Sequence, residues 1–487
     1  MRRKKDYRLN YTRVGSMSER EKAGKRRLRI WLTAGVAILV IAAVIVGVFL
    51  WSRGRQETAQ TAANFSGDVS TGTKQLEASG EKQKDWEAEE GLHSQEQKDE
   101  SSADSSEGEE QAGSDASDSV KEESKKDTAV PNSTEKEHSN TQDVAASNQE
   151  KEQADSVKIK GIYVTGPMAG SKGFDNLLTL VDTTELNAMV IDVKNDDGKV
   201  TWNLAEGTAK EIGACAGYVS DMEGFMALLK EHHIYTIARI ACFKDPILAR
   251  EKSELALKKP DGTAVTDGNG LAWVNPCRQE VWDYLVELGR EAAKIGFDEV
   301  QFDYVRFPIG KDAREADYGV EMTSRQKRLT IRNFLSYATT SLHEEGIQVS
   351  ADVFGTIIGN EEDADQVGQE YDILGRVVDA VCPMVYPSHY ASGVFGLEVP
   401  DANPYETIAG AMAGSVEELE LVPEENRATV RPWLQAFTAT WVKGHIPYGG
   451  EQIRAQIQAV YDAGYEEWIL WNASNKYSAD GLEPAQK

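Results

Sequence analysis

FDEVQFDYVRFP, residues 297–308, is the stretch that decides the fold. Apolar side chains alternate along it, as they do in a buried β-strand. Three charged side chains interrupt that pattern: Glu299, Asp303 and Arg306. A charge inside a core strand is costly unless it is paired or used. The stretch therefore predicts either a structural ion pair between Asp303 and Arg306, or a strand that ends in an active site.

Residues 157–487 contain further strand-like segments of this kind, as short apolar runs separated by helical stretches. Eight runs have strand character: 159–166, 188–195, 235–243, 299–307, 348–355, 380–388, 428–437 and 467–474. Seven helical stretches lie between them: 174–186, 222–232, 278–295, 325–345, 365–377, 405–421 and 450–463. The order predicts an α/β fold, a (β/α)8 TIM barrel with insertions. An open doubly wound sheet is the alternative, which the absence of a glycine-rich phosphate-binding fingerprint after the first strand disfavours.

The region before the barrel divides into three parts. Residues 1–29 carry twelve Lys or Arg against three Asp or Glu, a net charge of +9. Residues 30–51 form an uncharged apolar run with a tryptophan at each end, long enough to span a bilayer. A cleaved signal peptide would have a shorter apolar core. The pattern predicts a cytoplasmic tail (1–29), a single transmembrane signal anchor (30–51), and an extracellular C-terminal domain.

Residues 52–156 predict a disordered acidic tether, because they are rich in Ser, Glu, Gln and Lys and poor in aromatic residues. They carry eleven Lys or Arg against twenty-six Asp or Glu, a net charge of −15. The whole chain has a net charge of −27, which leaves −21 on residues 157–487. An acidic body of this kind argues against nucleic acid as a partner.

Metal, cofactor and thiol chemistry have little support in the sequence. The seven histidines include no HxH or HExxH pattern, and the four cysteines include no CxxC. We therefore expect no metal site and no cofactor. Cys242 and Cys382 lie in apolar runs and are expected to be buried, whereas a bridge between Cys215 and Cys277 stays open.

The strand ends carry the candidate site, because TIM barrels place their active sites at the C-terminal ends of the strands. Polar or aromatic residues occupy these positions on most strands, and each would need a partner in a purely structural barrel. Those predicted for the site are Asp192, Lys194, Asp303, Arg306, Asp352, Tyr386, His389, Trp433, Gln435, Trp471 and Asn472, and Arg239 and Asn475 also lie at strand ends.

Paired carboxylates and aromatic rings at a barrel mouth suit the hydrolysis of glycosidic bonds. One carboxyl group protonates the leaving oxygen, and the other attacks the anomeric carbon or activates water. Asp303 and Asp352 end neighbouring strands, which lie about 4.8 Å apart. Their carboxyl groups could then reach the separation of about 5–5.5 Å that retaining enzymes use. Asp192 is farther from either of them and would suit an inverting pair or a supporting role.

Five stretches are similar to a known family: KGIYVTG (160–166), NAMVIDVKNDDG (187–198), FDEVQFDYVRFP (297–308), SADVFG (350–355) and MVYPSHY (384–390). Residues 157–487 resemble the family described as the Putative glycosyl hydrolase domain, TIM-barrel proteins distantly similar to glycosidases of the α-amylase type. By position, the resemblance implies that Asp303 is the nucleophile and Asp352 the acid/base. Asp352 departs from the glutamate that the α-amylase type uses for the second role.

Together, these patterns predict a membrane-anchored extracytoplasmic glycoside hydrolase or transglycosidase. Asp303 and Asp352 are the predicted catalytic residues, and the other strand-end residues are expected to bind substrate or to support the site. The predicted partner is a cell-surface or environmental polysaccharide, such as a cell-wall glycan. The alternative is a catalytically inactive barrel that binds cell-wall glycan through the same aromatic rim.

Overall fold

The computed structural model describes residues 158–485. The predicted tail, membrane anchor and tether, residues 1–29, 30–51 and 52–156, lie outside this range and stay predictions. Within residues 158–485, the structure contains no helix with the length and apolar character needed to cross a bilayer.

Within the described residues, nine strand segments form one closed, all-parallel barrel. They are β1 (Lys160–Val164), β2 (Ala188–Lys194), β3 (Tyr235–Ala241), β4 (Glu299–Asp303), β5 (Gln348–Phe354), β6 (Ala380–Met384), β7 (Thr429–Val430), β8 (Trp433–Gln435) and β9 (Trp468–Trp471). Strand β1 pairs with both β2 and β9, which closes the sheet. Strands β7 and β8 both pair with β6 and are two pieces of the seventh barrel strand. The predicted barrel is confirmed.

Helices pack around the outside of the barrel and link its strands. The seven longer ones are α1 (Phe174–Thr183), α2 (Met222–Glu231), α3 (Gln279–Ile295), α4 (Ser324–His343), α5 (Glu361–Val367), α6 (Pro404–Leu419) and α7 (Gly450–Asp462). Short helical segments also occur at Gly166–Ala169, Thr208–Glu211, Pro246–Glu251, Lys311–Arg314 and Tyr371–Leu374. Helix α3 illustrates the pattern: Val281, Leu285, Leu288 and Ala292 form its buried face.

Two predicted elements end where a residue adopts a left-handed backbone. The predicted single helix 365–377 is instead two pieces, because α5 ends at Val367 before Gly368, whose φ is 78°, and a separate short helix follows at Tyr371–Leu374. The predicted strand 299–307 is too long, because β4 ends at Asp303 and Tyr304 follows with a φ of 48°. This value is rare for a residue that carries a Cβ. Arg306 therefore lies on the loop after the strand.

The apolar core has two parts, because successive side chains of a strand point to opposite faces. The larger part lies between the strands and the helices and includes Ile162, Val164 and Phe302. The smaller part fills the barrel and includes Tyr163, Trp433 and other inward-facing side chains. Both faces of β2 are therefore buried, which explains its nearly continuous apolar sequence.

The four cysteines are free thiols in the described chain. Cys242 and Cys382 are buried, as predicted. Cys215 and Cys277 are only partly buried and do not form a bridge with each other.

Glu299 belongs to an ion-pair network inside the barrel, near the start of its strands. Arg431 donates from Nη1 to Glu299 Oε1 at 2.7 Å and from Nε to Glu467 Oε2 at 2.8 Å. The hydroxyl group of Tyr235 donates to Glu299 Oε2 at 3.2 Å. The three charged side chains are buried. The charge at the start of the FDEVQFDYVRFP stretch is thus paired, and its role is structural.

Replacing Arg431 with alanine should therefore destabilise the barrel strongly. The change leaves the buried carboxylates of Glu299 and Glu467 without their cation, which typically costs about 3–5 kcal/mol in the free energy of unfolding. Denaturant titration measures the loss. The control is Arg250→Ala, which removes an exposed pair with Glu251 and should cost about 1 kcal/mol or less. Equal losses in the two variants would contradict a structural role for the network.

Candidate active site

Four charged side chains meet inside the barrel at the C-terminal ends of β2 to β5. Asp192 lies beside Arg239 in the register of β2 and β3. Asp303 pairs in register with Ala241, two residues beyond Arg239. Asp352 follows Ala351, the register partner of Phe302, and so lies next to Asp303 across β4 and β5. The barrel therefore brings the three predicted carboxylates together at its upper end.

Arg239 bridges two of these carboxylates. Its Nη1 donates to Asp192 Oδ1 at 2.5 Å, while Nε and Nη2 donate to Asp303 Oδ2 at 3.0 and 2.5 Å. Burial alone would lower the pKa of Arg239, but the charges of Asp192 and Asp303 raise it well above its ordinary value. Arg239 is thus a permanent cation that holds both carboxylates in fixed orientations.

Asp303 also accepts a hydrogen bond from the backbone. The N–H of Tyr304 donates to Asp303 Oδ1 at 2.6 Å. The left-handed conformation of Tyr304 accompanies this contact, and backbone strain of this kind tends to occur at functional sites. Both oxygen atoms of Asp303 are therefore held, one by Arg239 and one by the chain itself.

Asp352 has a different environment from Asp303. Trp433 donates from Nε1 to Asp352 Oδ1 at 2.6 Å, and Oδ2 has no hydrogen-bond partner within the described residues. Burial raises the pKa of Asp352 well above its ordinary value, and the nearby charge of Asp303 raises it further. Asp352 thus favours the protonated form, with Oδ2 available to carry the proton.

Aromatic rings surround the carboxylates. Tyr163 and Trp471 stack with ring centroids 4.1 Å apart, and the guanidinium carbon of Arg239 lies 5.4 Å from each ring. The hydroxyl group of Tyr163 donates to Asp192 Oδ2 at 2.6 Å. Trp433 meets Trp471 edge to face at 5.5 Å. Rings of this kind offer flat apolar faces beside polar groups, a combination that suits a sugar.

Arg306 does not contact Asp303, so the ion pair considered for these two residues is wrong. The cation on Asp303 is Arg239, from the neighbouring strand. The guanidinium carbon of Arg306 lies 4.6–5.5 Å from the ring centroids of Trp273, Tyr304 and Phe354, and Nη1 donates to the carbonyl of Phe307. Burial lowers the pKa of Arg306 to about 9. Arg306 thus packs beneath the loop that follows Asp303.

Lys194 has a supporting place near this centre. It is fully buried, where its Nζ donates to the carbonyl of Ala241 at 2.5 Å and pairs with Asp245 at 3.0 Å. These contacts tie the end of β2 to the end of β3. Lys194 therefore positions the strands that carry Asp192 and Arg239.

Gln435 and Asn472 also hold backbone segments. Gln435 is buried, accepts from the N–H of Ser388 at 3.0 Å and donates to Asp401 at 2.9 Å. Asn472 donates to the carbonyls of Ala436 and Lys476. The amide groups of both residues thus link loops at the mouth of the barrel.

Tyr386 and His389 lie together on the loop after β6. Their rings meet edge to face with centroids 5.1 Å apart. The hydroxyl group of Ser388 and Nδ1 of His389 are 2.9 Å apart. Burial raises the pKa of Tyr386 well above its ordinary value, and the charges of Asp352 and Asp303 add to this effect. The Tyr386 ring also lies 6.5 Å from that of Trp471, between centroids.

Three residues of the site were not among the predicted site residues: Tyr163, Arg239 and Asn475, although the strand-end rule already marked Arg239 and Asn475. Asn475 accepts from the N–H and hydroxyl groups of Thr165 and donates to the carbonyl of Tyr163. The sequence pattern indicated the first two, because each is a polar residue at a position where apolar and polar side chains alternate along a strand. Arg239 lies at the inward-facing position of β3, and Tyr163 at that of β1. Asn475 lies on a loop, where alternation gives no signal.

Comparison with known proteins places the barrel in a family. Residues 161–477 match the family described as "Putative glycosyl hydrolase domain". The chain belongs to this family. A search of curated proteins finds no match. Among solved structures, a hypothetical protein from Ruminiclostridium thermocellum is 36% identical over 39% of this chain and 97% of that chain, with a TM-score of 0.36.

Two glycoside hydrolases are also similar in structure to this family member. The PgaB (BpsB) glycoside hydrolase domain from Bordetella bronchiseptica is 11% identical over 65% of this chain and 94% of that chain, with a TM-score of 0.49. The α-galactosidase TtGalA from Thermus thermophilus is 13% identical over 67% of this chain and 60% of that chain, with a TM-score of 0.40. Neither similarity identifies a substrate for this chain.

The raised pKa of Asp352 should appear in the pH dependence of the stability of this barrel. The folded-state pKa lies above the unfolded value of about 3.9. The folded protein therefore binds the extra proton, and stability falls as pH rises from about 4 towards the folded pKa, by about 1.4 kcal/mol per pH unit. Asp352→Asn removes this loss, because the amide stays neutral at every pH.

Thermal unfolding of both proteins between pH 4 and pH 8 tests this expectation. The stability of Asp352→Asn should rise relative to the wild type as pH increases. Parallel curves over the whole range would mean that Asp352 titrates normally and is not kept protonated by its site.

Proposed function

We propose that the barrel cleaves or transfers a glycosidic bond of a polysaccharide by double displacement with retention. In this scheme Asp303 is the nucleophile and Asp352 is the general acid/base. The observation that carries the proposal is the contrast between the two neighbouring carboxyl groups. Asp303 forms an ion pair with Arg239, whereas burial and the charge of Asp303 favour the protonated form of Asp352. Glycoside hydrolysis requires two carboxyl groups in different protonation states, one protonated and one ionised.

The side chains around the two carboxyl groups have distinct roles in the first step. Arg239 and the N–H of Tyr304 orient Asp303 towards the anomeric carbon. Asp352 donates its proton from Oδ2 to the leaving oxygen, while Trp433 holds Oδ1. In the second step Asp352, now ionised, takes a proton from water or from an acceptor sugar, and that oxygen displaces Asp303 from the anomeric carbon.

The separation of the strands supports retention over inversion. Asp303 and Asp352 are neighbours across β4 and β5, and adjacent strands lie about 4.8 Å apart. A retaining pair needs carboxyl groups about 5–5.5 Å apart, whereas an inverting pair needs about 6.5–9.5 Å to admit a water molecule. The shorter distance fits neighbouring strands.

A glycan-binding barrel without catalysis is the second candidate, and one observation favours it. The side chain of Asp303 is only 9% exposed, and both of its oxygens already accept hydrogen bonds. A nucleophile must reach its substrate, so a carboxylate held in this way could instead serve only to shape a binding site. The aromatic rings around it would bind sugar in either case.

The location and partner of the protein are part of the proposal. Residues 30–51 support a single membrane anchor with a cytoplasmic N-terminus, and the basic residues of 1–29 set this orientation. The barrel would then act outside the membrane on a cell-surface or environmental polysaccharide. The net charge of −21 on residues 157–487 disfavours nucleic acid.

The test uses the purified full-length chain with amylose, laminarin, glycol chitin and peptidoglycan sacculi. Release of new reducing ends measures hydrolysis, and affinity electrophoresis in gels containing each soluble polymer, with a pull-down on the sacculi, measures binding. Reducing ends released by the wild type would support the glycosidase. Retarded migration or co-sedimentation without release would support the binding barrel, and neither effect with any polymer would contradict both candidates.

A further inference from the structure

Two aromatic rings extend the site beyond the reacting carboxylates. Phe437 and Trp441 lie on the loop that joins β8 to α7, and both side chains are partly exposed. Their rings stack with centroids 5.9 Å apart and an interplanar angle of 21°. Loops that follow the strands of a TIM barrel lie at its C-terminal face. The pair is therefore on the same face as Asp303 and Asp352.

A continuous series of ring contacts connects this pair to the reaction centre. Phe437 meets Tyr386 with ring centroids 6.1 Å apart, and Tyr386 lies 6.5 Å from Trp471. Trp471 stacks on Tyr163, whose hydroxyl group holds Asp192. The ring contacts thus continue from the carboxylates to the loop after β8.

The loop that carries the pair is held by hydrogen bonds at several points. Gln435 donates to the carbonyl of Phe437 at 3.1 Å, and Asn472 donates to the carbonyl of Ala436 at 2.7 Å. At the far end of the loop, the hydroxyl group of Tyr448 donates to a backbone carbonyl on the loop after β6. A loop held in this way loses little backbone entropy when its side chains bind a ligand.

We propose that Phe437 and Trp441 form a second sugar-binding subsite, which takes a sugar of the same polysaccharide chain away from the bond that is cleaved. The inference deepens the proposed function and rests on it. Stacked, uncharged rings suit the apolar face of a sugar, and they lie on the loop after β8, apart from the three strands that carry Asp192, Asp303 and Asp352. Such a subsite makes the barrel specific for polymers over single glycosides.

Trp441→Ala tests the subsite. We measure kcat/KM on each polymer that the wild type cleaves and on its single-sugar counterpart. The pairs are amylose with p-nitrophenyl α-glucoside, laminarin with p-nitrophenyl β-glucoside, and glycol chitin with p-nitrophenyl β-N-acetylglucosaminide. The ratio of the polymer value to the glycoside value should fall by about two- to tenfold, the size of one aromatic contact. Trp441→Phe retains a ring and should recover most of the ratio.

Tyr405→Ala is the matched control, because Tyr405 is an exposed aromatic residue on the outer helix α6 that contacts Asp462. It should leave the ratio unchanged. An unchanged ratio in Trp441→Ala, with a wild type that cleaves polymer, would overturn the subsite and leave the proposed function intact.

The subsite can also be tested if the wild-type barrel binds polymer without cleaving it. In that case Trp441→Ala should weaken retardation in affinity electrophoresis by about two- to tenfold in dissociation constant, and equal retardation would overturn the subsite. A wild type that neither binds nor cleaves any of the polymers would overturn the proposed function and the subsite together.

Discussion

Asp303→Asn should reduce the release of reducing ends from a cleaved polysaccharide by about 10⁴-fold or more. An amide is a poor nucleophile, and removing the nucleophile of a covalent mechanism typically removes most of the rate enhancement. The effect should fall on kcat, because asparagine has nearly the same shape as aspartate and the aromatic walls of the site remain. The measurement is a kinetic comparison with the wild type on the same polymer.

The fold should survive this substitution. Asparagine keeps an oxygen that can accept from Arg239 or from the N–H of Tyr304. The charge of Arg239 also remains paired with Asp192. We therefore expect the free energy of unfolding to change by no more than about 1–2 kcal/mol. An unfolded variant would show that Asp303 serves chiefly as the structural partner of Arg239.

Asp352→Ala should lower activity by about 10²- to 10⁴-fold on a polysaccharide, the usual contribution of a general acid. A sugar alkoxide is a poor leaving group and needs the proton that Asp352 supplies. A p-nitrophenolate ion leaves without protonation, so the first step on an aryl glycoside should be affected far less. The second step then becomes slow, because no base activates the water.

Azide separates these steps. A small anion can occupy the space of the lost carboxylate and attack the glycosyl-enzyme without a base, so it should restore turnover of the aryl glycoside by Asp352→Ala and yield a glycosyl azide with retained configuration. The same concentration of azide should not rescue Asp303→Asn. Lack of rescue in Asp352→Ala, together with equal losses on polymer and aryl glycoside, would contradict an acid/base role for Asp352.

The sequence alone was sufficient for the strand order of the barrel, since alternation and strand length are local properties. It was insufficient to predict the ends of strands and helices that terminate because a single residue adopts an unusual backbone conformation. Tyr304 and Gly368 both adopt left-handed backbones, which ended β4 and the fifth helix earlier than their apolar patterns indicated. Gly368 could have been suspected as a helix terminus, whereas nothing in the pattern marks Tyr304.

For the candidate site, too, the sequence predicted local positions but not contacts between distant residues. The positions of Asp192, Asp303 and Asp352 followed from the rule that barrel sites lie at strand ends. Their partners did not, because these contacts join different strands. Arg306 is near Asp303 in sequence but contacts other groups, whereas Arg239, 64 residues away, holds the carboxylate. Likewise, the Trp433 contact with Asp352 spans 81 residues.

Aromatic residues show a further limit of sequence patterns. Phe437 and Trp441 follow a strand on a loop, where neither alternation nor helical spacing applies. Their significance comes from the ring contacts with Tyr386 and with each other, which only the packed structure provides.

The central claim is that Asp303 forms a covalent bond with the anomeric carbon. The most direct test treats the full-length protein with 2-deoxy-2-fluoro glycosyl fluorides that match the sugar of the cleaved polysaccharide, which slow hydrolysis of the intermediate and allow it to accumulate. Peptide mass spectrometry then locates the label. Our account predicts one labelled peptide, containing FDYVRFP, with the sugar on Asp303. A label on Asp352 or on another carboxylate, or turnover without any covalent intermediate and with inverted configuration, would contradict it.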